Sequence, residues 1–106
     1  MPKFLFEARY SVEGVQGISE KGGSARVEAV NQAFDAVGGK LESFHFAFGD
    51  ADVYAIGELP DNETATALAL AINSDGRTKV RTVVLLTPEE VDAAARRSVE
   101  YRGPGS

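Results

Sequence analysis

Apolar and polar residues alternate along Lys3–Tyr10, with Phe4, Phe6 and Ala8 on one side and Leu5, Glu7 and Arg9 on the other. A period of two marks a strand with two unlike faces. The period then lengthens. Ser11 is placed to cap a short helix carrying Val12, Val15 and Ile18. Gly14 and Gly17 each cost that helix roughly 1 kcal/mol relative to Ala, so it has to lean on tertiary contacts. Gly22-Gly23 breaks it. Ser24 is expected to cap a stronger helix, in which Val27, Val30, Phe34 and Val37 follow the spacing of one buried face. Gly38-Gly39 supplies a left-handed stop.

A second strand is read over Leu41–Phe48, with Phe44, Phe46 and Phe48 pointing one way and Ser43, His45 and Ala47 the other. Gly49–Asp52 makes a turn into a third strand, Val53–Leu59. Its faces are Tyr54, Ile56 and Glu58 against Val53, Ala55 and Gly57; the small residues are assigned to the helices because they allow close approach. Asp61 is the N-cap of a third helix, with Glu63 in its first turn. The body of that helix, ATALALAI, is apolar around much of its circumference, which suggests a contact beyond its own sheet. After the Asn73–Gly76 turn comes a fourth strand, Thr78–Leu86, with Lys79, Arg81, Val83 and Leu85 on one side and Val80, Thr82 and Val84 toward the helices. Thr87-Pro88-Glu89-Glu90 has the form of a capping box with Pro at N1. It opens a helix expected to run to about Tyr101, with Val91, Ala95 and Val99 on one side. The domain is expected over residues 1–95, with 96–106 as the end of that helix and a frayed tail.

The order β-α-(α)-β-β-α-β-α is the signature of an α+β, ferredoxin-like split β-α-β sandwich: a four-stranded antiparallel sheet with helices on one face. Its other face must be solvated or covered by something else.

With 106 residues, one domain is expected. Apolar residues at 43% and charged residues at 25% are ordinary for a globular chain. The net charge of −5, with lysines and arginines scattered, speaks against nucleic acid, which requires a basic stripe. The absence of cysteine removes disulfides, thiolate metal sites and a cysteine nucleophile together. A single histidine, His45, rules out a multi-histidine metal site within one chain, and no cofactor is implied. Asp50 and Asp52 flank a turn, where bonding to the local backbone is the default over a metal. No apolar run approaches the ~20 residues needed to span a bilayer, and the expected location is cytoplasmic, without a membrane partner.

The stretches PKFLFEARYS, GGKLESF, FAFGD, ELPDN and LLTPEEVDAA together resemble the GYD-domain family, over about residues 2–95. The family's signature is Gly-x-Tyr-Asp at the turn between the second and third strands. Gly49 and Asp52 match it, and Ala51 stands where the tyrosine would be; the turn is expected to survive that exchange on the permissive backbone of Gly49 and the local hydrogen bonding of Asp52. The resemblance implies membership of the dimeric α+β barrel superfamily, in which two sheets pack through their helix-free faces. That superfamily includes small monooxygenases, haem-degrading enzymes, isomerases and ligand-sensing domains, so it implies an architecture rather than a chemistry.

On the helix-free face the alternation collects Glu7, Arg9, Ser43, His45, Tyr54 and Arg81. Sequestered in a dimeric barrel, such charges must pair or bind a ligand, and Glu7 with Arg9 or Arg81 is the natural pairing. His45 is the candidate for acid/base work because imidazole titrates nearest neutrality, with a hydrogen-bonded structural histidine as the competing interpretation. Glu7, Arg9, Ser43, Tyr54 and Arg81 are the candidate ligand-binding residues. The Lys21–Arg26 stretch opens a helix with free N–H groups, yet a plain turn and cap explain it. Three functions are compatible with this set: a homo-oligomeric barrel binding a small organic molecule, a cofactor-free monooxygenase- or isomerase-like enzyme using His45, and a structural or regulatory assembly module. The first is favoured, because nothing in the set assembles a known catalytic constellation.

Overall fold

The computed structural model describes residues 1–105, and Ser106, the end of the expected tail, lies outside them. The elements run β1 (Lys3–Tyr10), α1 (Val12–Lys21), α2 (Gly23–Ala36), β2 (Lys40–Phe46), β3 (Val53–Glu58), α3 (Asn62–Asp75), β4 (Thr78–Leu85) and α4 (Pro88–Ala95). The strands form one antiparallel sheet in the order β2-β3-β1-β4, the order of a ferredoxin-like split β-α-β fold.

One face of the sheet carries the core. Phe4, Phe6, Ala8, Val53, Ala55 and Val80 are buried there with Phe34 of α2, Leu59, and Ala65 and Leu68 of α3. Phe34 meets Phe6 edge to face with ring centres 5.4 Å apart. The small side of β3 is what lets α2 sit so close: a Cβ on Gly57 would collide with the Phe34 ring. α1 makes a comparable approach through Gly14, where a Cβ would meet the Arg77 carbonyl oxygen. The helical cost of that glycine is therefore offset by a close contact. The Ser11 N–H donates to the same carbonyl at 2.9 Å, pinning the start of α1 to the turn before β4.

Five local expectations need correction. Thr82 and Val84 share the helix side with Phe6 and Phe4, yet no helix packs on them and both are exposed, Val84 at 52%. Val12 and Val15 are exposed, at 74% and 50%, and α1 turns Gly14 and Ile18 inward instead. α2 starts two residues early, at Gly23, and Gly22 rather than Ser24 is its N-cap, with no side-chain cap at all. Gly22, at φ 85°, serves both helices: its N–H closes α1 on the Ile18 carbonyl. α4 stops at Ala95, well short of Tyr101. Every residue from Leu86 to Arg102 is exposed, so Val91, Ala95 and Val99 have nothing to pack on. Finally, β2 ends at Phe46; Phe48 lies beyond it, fully exposed.

The capping residues are otherwise as expected. Ser11, Asp61 and Thr87 accept from the N–H groups of Gly14, Thr64 and Glu90, and Thr87 with Glu90 forms a complete capping box. Leu70 of α3 is 62% exposed, so the broad apolarity of that helix leaves a large apolar side chain mostly open to water. The exposed α4 gives an elongated outline, with a radius of gyration of 16.9 Å, against about 13 Å for a compact domain of this length.

Candidate functional site

The helix-free face is built by register. His45 stands opposite Tyr54, Tyr54 opposite Glu7, and Glu7 opposite Arg81, so four of the six candidate residues form a single row across the whole sheet. The next row is Ser43, Ile56, Leu5 and Val83, apolar except at its edge. Arg9 stands one row to the other side, opposite Lys79. The face is thus banded: a cationic pair, a polar row, then an apolar row, each separated by the two-residue repeat of a strand.

The phase of β2 depends on a bulge. Leu41 pairs with Gly57 and Ser43 with Ile56, leaving Glu42 as an extra residue between them. Leu41 consequently joins the core with Phe44, although its parity in the sequence groups it with Ser43 and His45. Phe44 and Phe46 keep each other company on the helix side, with ring centres 5.2 Å apart. His45 is left on the open face and is exposed.

Of the two pairings open to Glu7, the structure has Arg81, with Nε 3.8 Å from Oε2. The contact is loose, and the Arg81 side chain is 79% exposed. Arg9 has no ion-pair partner among the described residues. It faces Lys79 directly, and like charges opposed on one sheet face repel. Lys79 was not among the sequence candidates, although it shares the alternation of Arg81. Arg9, Lys79 and Arg81 stand against Glu7, with the Asp52 carboxylate held on the Tyr10 N–H beside Arg9, so cations outnumber carboxylates at this end in a chain whose net charge is −5. No group of three or more His, Asp or Glu side chains is arranged to hold a metal among the described residues.

The signature turn is held differently from the expectation. Gly49 is not among the positive-φ glycines, and a Cβ there would meet nothing within 4 Å. Its backbone therefore needs no glycine. Asp52 makes no Asx turn; its carboxylate accepts from the Tyr10 N–H at 2.9 Å, while its own N–H donates to the Ala8 carbonyl at 2.8 Å. It fastens the turn to the end of β1. Ala51 is buried, at 5% exposure, rather than sitting at a tolerant loop tip.

A second concavity lies on the other side of the sheet, where α1, α2 and α3 splay around Tyr10 and Arg26, with a volume of about 750 Å³. Sequence reasoning made neither a site residue, and it weighed Arg26 only within the Lys21–Arg26 stretch, where a plain turn and cap were preferred to an anion site. Arg26 did leave a trace, as a cation on the same inward face of α2 as Val30, Phe34 and Val37.

A sheet with helices on one face, in this strand order and with an Asp-anchored turn between β2 and β3, defines a ferredoxin-like α+β domain. The model of the GYD domain matches residues 4–95, and the chain belongs to that family. Comparison with curated proteins and with solved structures gives no match. No helix of the described residues is long and apolar enough to cross a membrane.

Proposed function

We propose that this GYD-domain protein is a self-associating module that binds a small anionic organic molecule between the helix-free faces of paired sheets. The observation that carries the reading is the banded face itself. Leu5, Ile56 and Val83 form an apolar row that no element of the chain covers, with Val83 at 38% exposure, beside a row of polar side chains and an unbalanced cationic pair. Covering the apolar row favours association. Once water is excluded, Arg9, Lys79 and Arg81 require an anion, and Glu7 and Asp52 leave one cation unbalanced. Tyr54 and His45 would flank the bound group as hydrogen-bonding partners, with Ser43 at the edge of the sheet. In this reading His45 binds and orients. The location expected from the sequence, the cytoplasm, fits such a module, and neither nucleic acid nor a membrane is needed as partner.

Light scattering at micromolar concentration tests the association. The expected result is no monomer in the parent chain and a shift to monomer in Val83→Lys, which places a cation in the apolar row. A clean monomer mass for the parent removes the paired-sheet reading together with its enclosed site.

A further inference from the structure

We propose that the cleft between α1, α2 and α3 is a binding site for a singly charged carboxylate with an apolar or aromatic body. It lies on the opposite side of the sheet from the site above and stands independently of self-association. The cleft is open at the surface, and its volume of about 750 Å³ falls within the roughly 300–1,000 Å³ typical of small-molecule sites. Tyr10, Leu68 and Ile72 supply an apolar floor. A separate, smaller cavity of about 40 Å³ shares Tyr10 and Arg26 with the cleft and is lined on its other side by Phe6 and Phe44.

Charge selects the ligand class. At the mouth, Asp75 and Arg77 approach to 3.9 Å. The lining carries Glu13, Glu20 and Asp75 against Lys21, Arg26 and Arg77, so it is neutral overall and suits one added charge rather than several. Arg26 is the cation held deepest. Its guanidinium lies over the Tyr10 ring, 5.8 Å from the ring centre. Its Nε is buried with no hydrogen-bond partner, and Arg26 makes no ion pair among the described residues. A buried charged donor without an acceptor is costly. The terminal guanidinium nitrogens are not buried in this way and have no ion-pair partner among the described residues, so a carboxylate in the cleft can take up the charge there.

Gly17 supplies a separate argument. Unlike Gly14, it touches nothing: a Cβ there would have no atom within 4 Å, and its φ is ordinary. Nothing in the fold accounts for its helical cost of roughly 1 kcal/mol. It does line the cleft, where any larger side chain would take up ligand space.

The test is a titration of the 15N-labelled protein with naphthalene-2-carboxylate and, in parallel, the uncharged naphthalene-2-carboxamide. The carboxylate is expected to shift the amides of Gly17, Arg26 and Ile72. It should bind at least about tenfold more tightly than the carboxamide, the effect of one charge-assisted hydrogen bond. Arg26→Gln should erase that preference while leaving the weak carboxamide binding in place. Gly17→Leu should abolish binding of both and raise the thermal midpoint, which separates a filled cleft from a damaged fold. Shifts confined to Leu5, His45, Tyr54 and Val83, no saturable shifts at all, or an unchanged preference in Arg26→Gln would each overturn the proposal.

Discussion

The two faces of this sheet are built from the same four strands and are opposite in kind. On the covered face, Phe34 fits against Gly57 so closely that one methyl group would not be admitted, and Phe4, Val53 and Leu59 are almost wholly withdrawn from water. On the open face, Tyr54 is 37% exposed and the Glu7–Arg81 pair is loose and mostly solvated. The covered face has its complement within its own chain except along β4, where Thr82 and Val84 are exposed; the open face carries apolar and charged bands with no such complement. Stability and function are thus divided between the two sides of a single strand, residue by alternate residue.

The largest effect should come from the covered face. Phe34→Ala removes the ring on which α2, β1 and β3 converge, and a loss of about 3–5 kcal/mol in urea denaturation is expected for a buried aromatic of this kind. A loss below about 1 kcal/mol would mean that the two faces are less unlike than their packing suggests. Next comes the turn that joins β2 to β3. Ala51→Tyr forces a ring into a buried site and should cost about 1–3 kcal/mol, whereas Gly49→Val should change stability by no more than about 0.5 kcal/mol. Equal tolerance of both in thermal melts would show that Ala51 has spare room beside it.

The open face gives a smaller effect that depends on concentration. In dilute protein, a double-mutant cycle on Glu7→Gln and Arg81→Gln should give a coupling under about 1 kcal/mol, as for other exposed pairs. A larger coupling at concentrations where the chain associates would mark the enclosure of the pair between sheets. The smallest effect belongs to the start of α3. The side-chain hydroxyl and then the backbone N–H of Thr64 hold the Asp61 carboxyl below its usual value. A carboxyl lowered by folding stabilises the fold above its unfolded value, and that contribution fades as the pH falls through the lowered one. Asp61→Asn keeps a capping oxygen and loses the titration. The difference in melting temperature between parent and variant should therefore shrink on acidification below the ordinary carboxylate range, and a constant difference would count against the Thr64 bonds as its cause.

Much of this was legible along the chain. Alternation in Lys3–Tyr10 and Val53–Glu58 assigned both faces correctly, because a strand buried on one side must write that fact every second residue. Ser11, Asp61 and Thr87 announced three helix starts, since a cap acts through bonds only three residues long. Local signals misled at the start of α2, where Gly22 replaces Ser24, and at Gly49, while other expectations failed because they depended on partners distant in sequence. Val12 and Val15 read as a buried stripe, yet the neighbour that α1 meets is the Arg77 carbonyl, which selected Gly14 instead. Val99 extended the apparent period of α4, but a short helix without tertiary contacts ends early. For the candidate site, the residue types were visible and their common row was not, because register is a relation between strands. The cleft at Arg26 was invisible for the same reason: it is the space left by three helices.

The bulge at Glu42 gives the second strand an unusual tolerance to changes of length. It is the one place where the ladder already accommodates an unmatched residue, so deleting Glu42 would leave a regular strand with Leu41 and Phe44 still inward and His45 still outward. An insertion between Ser43 and Phe46 has no such refuge and would exchange the rings for the histidine. Within a lineage, gains and losses of single residues in this strand should therefore gather at position 42, upstream of the segment whose phase decides which side chains the open face displays.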